Sequence, residues 1–134
     1  MTQLANGDVF VNGGGADCGY EYLYSAEKGT WEMLPPVPSA KRYVPSGAVE
    51  LADGRILVSG GHQCWGDASL VHSESWVFDR KVGSWSAAAP LHHARTIHSA
   101  VRLSCGHVES VVLRNRFFRI RSTKHVPDDG SVVA

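Results

Sequence analysis

The feature that most constrains the fold of this chain is a phrase that the sequence contains twice. "LANGDVFVNGGG" at residues 4–15 and "LADGRILVSGGH" at residues 51–62 share leucine, alanine, glycine and valine positions. The offset is 47 residues, from position 4 to position 51. Self-similarity at a period of roughly 20–50 residues is the signature of solenoids, propellers and related arrays. We therefore expect structural units that bury their apolar faces on one another.

Each copy of the phrase predicts a β-hairpin entry and a buried strand. Asn6-Gly7 and Asp53-Gly54 are the dipeptides favoured by a two-residue type I′ turn. The runs that follow, "DVFV" and "RILV", carry apolar residues at successive positions, as does a strand covered on both faces. The paired glycines after them are expected to end each strand and to allow close approach of a neighbouring chain.

The two copies continue into an aromatic strand and a Gly-x-Trp turn. Because their repeat positions coincide, we expect six aromatic residues to belong to the core: Tyr22, Tyr24, Trp31, Trp76, Phe78 and Trp85. The second copy has about seven extra residues, which fall in "HQCWGDASLVHSES". Insertions of this kind collect in exposed loops, where backbone groups can bond to water.

These residues, in this order, resemble the Kelch repeat, the blade unit of one group of β-propellers. The resemblance implies an all-β fold of antiparallel four-stranded Kelch-type propeller blades that form an incomplete, open propeller. The signature positions are Gly13, Gly14, Tyr24, Trp31, Gly60, Gly61, Phe78 and Trp85. A period of about 50 residues is typical of this repeat.

The resemblance implies strands named a to d in each blade, and divides the chain into four parts. These are a partial blade with strands b, c and d (1–38), a complete blade (39–91), the start of a degenerate third blade (92–113) and a basic, divergent C-terminal tail (114–134). In the complete blade the strands are expected at 43–51, 55–59, 75–79 and 85–88. The chain supplies about two and a half blades, whereas a closed propeller needs roughly four to eight. We therefore expect the chain to be a piece of a larger propeller, a truncated product, or a unit that is completed through association with other copies.

Composition limits the partners that the chain is expected to bind. The formal net charge is zero, which offers no global attraction for nucleic acid or a membrane surface. No apolar run approaches the roughly 18 residues of a membrane helix. The basic stretch 114–125 is expected to be an edge strand or a solvated tail, with a nuclear signal as the alternative.

Cysteine and histidine usage gives no site of its own. The chain has three cysteines (Cys18, Cys64 and Cys105), an odd number without C-x-x-C spacing, which predicts reduced thiols in a cytoplasmic protein. The histidines lack the paired ligand spacings of a structural zinc site. No G-x-S-x-G stands in the chain, and no GK[ST] follows the glycine-rich stretch. We expect no catalytic residue, cofactor or metal, and no enzymatic activity.

The predicted function is a protein–protein interaction module that binds through inter-strand and inter-blade loops, as part of a substrate-recognition protein. The candidate partner-binding residues are Trp65, Arg42, Arg95, His62 and His93. Trp65 is either an interface anchor or packed on the blade; the two arginines either pair with a partner's carboxylates or bond backbone carbonyls between blades. Self-association through exposed blade edges is also expected. The alternatives are a fragment of a copper-radical oxidase similar to galactose oxidase, and a truncated product without independent function.

Overall fold

The computed structural model describes residues 1–13, 20–39, 43–64, 70–111 and 123–125, and these form eleven β-strands and no helix. Within this part of the chain there is consequently no helix long and apolar enough to span a membrane. The strands are β1 (Thr2–Gln3), β2 (Val9–Asn12), β3 (Glu21–Ser25), β4 (Thr30–Met33), β5 (Tyr43–Glu50), β6 (Ile56–Gln63), β7 (Val71–Asp79), β8 (Ser84–Ala88), β9 (Ser99–Arg102), β10 (His107–Val111) and β11 (Thr123–His125).

The strands form three antiparallel sheets. The first sheet has the order β1-β2-β3-β4, the second β5-β6-β7-β8 and the third β11-β10-β9. Each strand pairs with its chain neighbour, which is the meander of a propeller blade. The predicted fold class, all-β with antiparallel four-stranded blades in an open arrangement, is confirmed.

One prediction about the ends of the repeat pattern is wrong. The first unit was expected to lack strand a, but Thr2 and Gln3 pair with Phe10 and Val9 as a short opening strand. At the other end, β11 pairs antiparallel with β10 as the edge strand of the third sheet, which is one of the two expectations for the basic stretch 114–125. Backbone pairing needs no repeat signature in the side chains, so the opening strand was not visible in the sequence pattern.

Three equivalent turns join the first two strands of each sheet. In each, a leucine N–H bonds the carbonyl four residues on, and a glycine N–H bonds the leucine carbonyl, at 2.7–3.1 Å. These glycines, Gly7, Gly54 and Gly106, have φ of 89°, 85° and 86°. The predicted type I′ geometry is wrong, because Asn6 and Asp53 do not have the positive φ that it requires. Each turn is instead closed by a single left-handed glycine, and the "SCGH" sequence adopts the same form.

Two apolar clusters lie between the sheets. The first sheet contributes Leu4, Phe10 and Leu34, which pack against Ile56, Val58 and Phe78 of the second. The opposite face of the second sheet contributes Val49, Leu51, Leu57 and Val77, which pack against Val108 of the third. The period-two alternation of side chains in a strand therefore gives the second sheet two buried faces.

The expectation that all six repeat aromatics belong to the core is wrong for Trp31 and Tyr22. Phe78 is buried and Trp85 half-buried, but Trp31 is 60% exposed and Tyr22 lies on the same face. The reason is that Trp31 lies on the face of the first sheet turned away from the second. In the described part of the chain no sheet covers that face.

Polar contacts also join the first two sheets. The Trp85 indole N–H donates to the Pro35 carbonyl (2.7 Å), and the Thr2 hydroxyl donates to the Ala48 carbonyl (2.8 Å). Asp8, in the first turn, forms an ion pair with Arg80. Hydrogen bonds from the Ala26 N–H and the Asn6 amide, together with Arg80, lower the pKa of the Asp8 carboxyl. Asp8 thus remains ionised and connects the turn ends of the two sheets.

The paired glycines of the second sheet, Gly60 and Gly61, contact the connection between β8 and β9, which leads into the third sheet. We call this contact the joint. The paired glycines were expected to end the strand, but β6 continues to Gln63, with a register shift between Ser59 and Gly61. At Gly60 (φ 57°) an added Cβ would lie 2.6 Å from the Arg95 carbonyl oxygen and 2.8 Å from Cε1 of His98. Only glycine fits this bulge without displacing the connection that packs on it.

We predict that Gly60→Ala lowers the free energy of unfolding by more than about 3 kcal/mol, because a strained backbone and a backbone clash add together. Gly54→Ala is the matched control, since Gly54 also has positive φ (85°) but nothing within 4 Å of an added Cβ. It should cost only about 1–2 kcal/mol of backbone strain. Urea denaturation of both variants measures the difference, and equal losses would contradict a close-packed joint at Gly60.

Candidate binding face

The connection from β8 to β9 is tied to the second sheet by three backbone hydrogen bonds. The Leu91 N–H donates to the Ser73 carbonyl (2.7 Å), and the Arg95 N–H to the His72 carbonyl (3.2 Å). In return the Gly61 N–H donates to the Arg95 carbonyl (2.7 Å). Residues 91–98 therefore follow a fixed path across one end of the second sheet, which we call the loop end.

Three side chains at the loop end form a hydroxyl–imidazole cluster: Ser46, His62 and Thr96. The Thr96 hydroxyl lies 2.9 Å from the Ser46 hydroxyl and 3.0 Å from Nδ1 of His62. The Ile97 N–H donates to the Ser46 hydroxyl (3.2 Å). The cluster joins β5, β6 and the connection, so it fixes the residue that follows Thr96.

That residue, Ile97, combines a rare backbone with a displayed side chain. Its φ is 52°, a positive value that β-branched residues rarely adopt, and its side chain is 84% exposed. Such strain costs roughly 1–3 kcal/mol and persists where surrounding contacts over-determine it, commonly at functional sites. The connection and the cluster are those contacts, and they hold an apolar side chain out into solvent.

The structure brings three of the sequence-predicted binding residues to the loop end. His62 belongs to the cluster, and His93 is exposed on the connection. Arg95 is only 7% exposed, and its Nε donates to the His93 carbonyl (3.3 Å). This bond is to a backbone carbonyl two residues earlier on the same connection. Trp65, Arg42 and the signature residue Gly14 lie outside the described residues.

Sequence reasoning missed Ser46, Thr96 and Ile97. The repeat partner of Ile97 is Val44, two residues after Arg42 as Ile97 is two after Arg95. Val44 is half-buried and packs on Gly13, where its Cγ1 lies 2.2 Å from the position of an added Cβ. In the second sheet it is His98, the residue after Ile97, that contacts Gly60 as Val44 contacts Gly13. The only available signal was the apolar isoleucine between Thr96 and His98 in a polar connection.

The loop end gives little support to reaction chemistry. Within the described part of the chain no carboxylate is hydrogen-bonded to His62, so the hydroxyl–imidazole cluster lacks the acid of a Ser-His-acid arrangement there. Among residues 1–13, 20–39, 43–64, 70–111 and 123–125, no three His, Cys, Asp or Glu side chains come together as metal ligands.

His98 lies buried beneath the displayed Ile97. Its ring lines a cavity of about 200 Å³ together with Asn12, Ser46 and Ser99, and neither ring nitrogen has a partner among the described residues. Burial, with a smaller contribution from the charge of Arg95, lowers the pKa of His98 to about 4. The imidazole is therefore neutral at physiological pH and fills the space left by Gly47 and Gly60.

Glu21 is the second buried titratable group, at the start of β3. Its side chain is fully buried, and neither carboxylate oxygen is hydrogen-bonded by a described residue. Burial raises the pKa of Glu21 to about 7, although the nearby backbone N–H groups of Val37 and Glu21 lower it in part. The carboxyl is therefore half protonated near neutral pH.

Another groove, of about 1020 Å³, opens at the turn end of the first two sheets. Its wall includes Asp53 and Arg55, which pair with each other at 2.7 Å, and the exposed Lys81. Because acidic and basic side chains alternate there, the groove has no single charge preference and supports no particular ligand.

The cysteine prediction is wrong for Cys64. Cys64, directly after β6, is disulfide-bonded, whereas Cys105 is free and exposed. The odd cysteine count concealed this, because pairing depends on spatial proximity rather than on spacing along the chain.

We predict opposite pH dependences from the two buried groups. Glu21 has a raised pKa, so its contribution to the free energy of unfolding is lost as pH rises from 4.5 to about 7. His98 has a lowered pKa, so its contribution is lost as pH falls from 6.5 to about 4. Each change amounts to about 3 kcal/mol at most.

The two contributions offset each other between pH 4.5 and 6.5 in the native chain. Glu21→Gln should therefore make stability rise with pH over this window, and His98→Asn should make it fall. Urea denaturation at half-unit pH steps measures both slopes. Parallel curves for the native chain and both variants would show that neither group titrates as described.

We predict that Ile97→Asn raises the free energy of unfolding by about 1 kcal/mol, because asparagine tolerates positive φ. Ile97→Val is the control, since valine is also β-branched and keeps the strain. Thermal denaturation of the pair checks the assignment. Equal midpoints for the asparagine and valine variants would contradict a strained backbone at residue 97.

The comparisons with known proteins support the fold. No protein-family model matches the chain, and no curated protein matches it. The chain is similar to the solved structure of a fungal alcohol oxidase of the AA5 family in complex with copper, with a TM-score of 0.61 and 19% identity. The match covers 78% of this chain but only 24% of the oxidase chain. At this identity the likeness shows a shared all-β fold and nothing of the chemistry.

Proposed function

We propose that the chain is a protein-binding module whose loop end carries the binding face, centred on Ile97. The observation that carries the proposal is the 84% exposed isoleucine on a backbone with φ 52°. Exposure of an apolar side chain to water is unfavourable in free energy, and the strained backbone of Ile97 adds a further free-energy cost. A partner that buries Ile97 removes its apolar surface from water and accounts for both features.

The surroundings of Ile97 favour a partner with an apolar pocket and a polar rim. His92 and His93 are exposed on the same connection, and His62 is half-buried at its base. This combination of an apolar centre and hydrogen-bonding neighbours is the usual anatomy of a protein interface. Because the connection is already fixed by backbone bonds, little conformational entropy is lost when the partner binds.

The test is affinity capture from a proteome of the source organism with Ile97→Ser and a matched control. Val82→Ser is that control, because Val82 is also an exposed aliphatic residue (73%) but lies at the turn end of the second sheet. We expect proteins captured by the native chain to be retained by the Val82 variant and lost at least tenfold with the Ile97 variant. Capture that is unchanged by Ile97→Ser would remove this residue from the binding face.

Trp65 and Arg42 remain candidates from the sequence. Trp65 follows the end of β6, and Arg42 precedes the start of β5. Because this end of β6 and this end of β5 lie together at the loop end, we propose that both residues extend the same face. Trp65→Ala and Arg42→Ala in the same capture experiment assign each residue separately. His93→Ala tests the exposed histidine beside Ile97.

A copper-dependent oxidase is the second candidate, favoured by the structural likeness to the fungal alcohol oxidase. Because this chain spans about a quarter of that chain, oxidase activity would require parts beyond the described residues. Elemental analysis after copper loading and dialysis tests it. Stoichiometric retained copper would favour the oxidase, and none would leave the binding module as the account of the chain.

We propose that the chain forms part of a larger propeller-like assembly, in which the repeats extend beyond the three sheets. The cytoplasmic localisation stays a prediction. The Cys64 disulfide bears on it directly, since such bonds persist in oxidising compartments. Fractionation of cells that produce the tagged chain, with thiol labelling of Cys64, decides the compartment.

A further inference from the structure

Two Asn-Gly dipeptides stand in the first sheet, and the structure places them differently. Asn6-Gly7 occupies the turn between β1 and β2, where Asn6 is exposed. Asn12-Gly13 stands at the end of β2, where Asn12 is half-buried and its amide donates to the Pro45 carbonyl (2.7 Å). Asparagine before glycine is prone to deamidation, because glycine has no side chain to hinder attack by its own backbone nitrogen. Since the two dipeptides are the same, their surroundings decide which one reacts.

In the turn, the side chain of Asn6 is folded back over the backbone of Gly7. The Asp8 N–H donates to Oδ1 of Asn6 (3.2 Å), which closes an Asx turn around Gly7. The side-chain carbonyl is thereby held beside the glycine that attacks it, and an intramolecular reaction gains rate from such orientation. The same N–H stabilises the negative charge that develops on Oδ1 during the attack.

The reaction needs water as its only co-reactant. The Gly7 nitrogen gives its proton to solvent and attacks Cγ of Asn6, and Nδ2 takes up a proton and leaves as ammonia. The product is a succinimide ring. Water then hydrolyses one of the two C–N bonds of the ring, with OH added to carbon and H to the Gly7 nitrogen, which leaves aspartate or isoaspartate at position 6. The Gly7 N–H donates to the Leu4 carbonyl (2.9 Å), so this one bond must open before the attack.

The same reaction is opposed at Asn12. Asn12 lies opposite Glu21 in the pairing of β2 with β3, and its amide is held by Pro45 of the second sheet. Attack by Gly13 therefore requires the end of a strand and a contact between two sheets to open together. Such an opening is rarer than that of an exposed turn.

Deamidation of Asn6 would place a charge where the native turn has a donor. Nδ2 of Asn6 donates to Oδ2 of Asp8 (2.7 Å), the carboxylate that pairs with Arg80 of the second sheet. A carboxylate at position 6 would face that of Asp8, and like charges so close repel. In the equivalent second turn the carboxylate of Asp53 is matched by a cation two residues on, because Arg55 pairs with it at 2.7 Å. The first turn has an acidic residue in place of that cation.

We propose that Asn6 is a site of spontaneous deamidation, and that its conversion weakens the contact between the turn ends of the first two sheets. The ammonia is lost to solvent, so the modified fraction increases with the age of the molecule. The proposal concerns the turn end and is independent of the loop end.

Incubation of the full chain at neutral pH in water enriched in heavy oxygen tests the site, because each new carboxyl group takes up a labelled oxygen. Peptide mass spectrometry follows Asn6 and Asn12 in the same sample. We expect Asn6 to react about tenfold faster than Asn12 in the folded chain, and the two rates to become similar in urea. Equal rates in the folded chain, or faster reaction at Asn12, would overturn the proposal. An Asn6 that stays unmodified in the folded chain while both residues react in urea would also overturn it.

The variants Asn6→Asp and Asn6→Ser test the effect on the contact between the sheets. Both variants remove the amide donor to Asp8, and both keep a side-chain oxygen that accepts from the Asp8 N–H, but only aspartate adds a charge. We expect urea denaturation to give an unfolding constant about tenfold larger for Asn6→Asp than for Asn6→Ser at neutral pH. Equal unfolding constants would contradict the weakening of the contact.

Discussion

The arrangement of the described residues depends on one contact, the seating of the inter-sheet connection on the glycine bulge of β6. The Gly61 N–H bonds the Arg95 carbonyl, and Gly60 leaves the space that this carbonyl and the His98 ring occupy. A side chain at position 60 would remove that space, and the connection would lose its fixed path. The third sheet and the loop end are both positioned through this joint.

Two parts of the structure are described relative to the joint: the apolar clusters between the sheets and the loop end. Along the sheets, paired apolar faces build two clusters on either side of the second sheet. Toward the loop end, the connection and the hydroxyl–imidazole cluster hold Ile97 in a strained, exposed conformation. We propose that the function resides in the segments that this scaffold displays.

The repeat made the sheets predictable, because glycine, aromatic and turn residues recur with the same physical role. Strands β5 and β8 lie where they were expected, whereas β6 and β7 extend beyond their expected bounds to Gln63 and Val71. The repeat did not predict which neighbouring element, if any, covers a given side chain. Trp31 and Trp85 occupy the same repeat position, yet only Trp85 has a sheet across from it. Val44 packs on Gly13 and His98 packs on Gly60, whereas Ile97, the residue before His98, points to solvent. Burial of Glu21 and the bonding of Cys64 also depend on neighbours that are distant in the chain.

The central claim is that the connection is rigidly seated on the glycine bulge, and amide hydrogen exchange at Gly61 tests it most directly. Protection of this amide requires that the bond to the Arg95 carbonyl persist in solution. The account predicts that Gly61 exchanges as slowly as Leu57, the second residue of β6. Exchange of Gly61 at the rate of an unstructured chain, with Leu57 still protected, would contradict it.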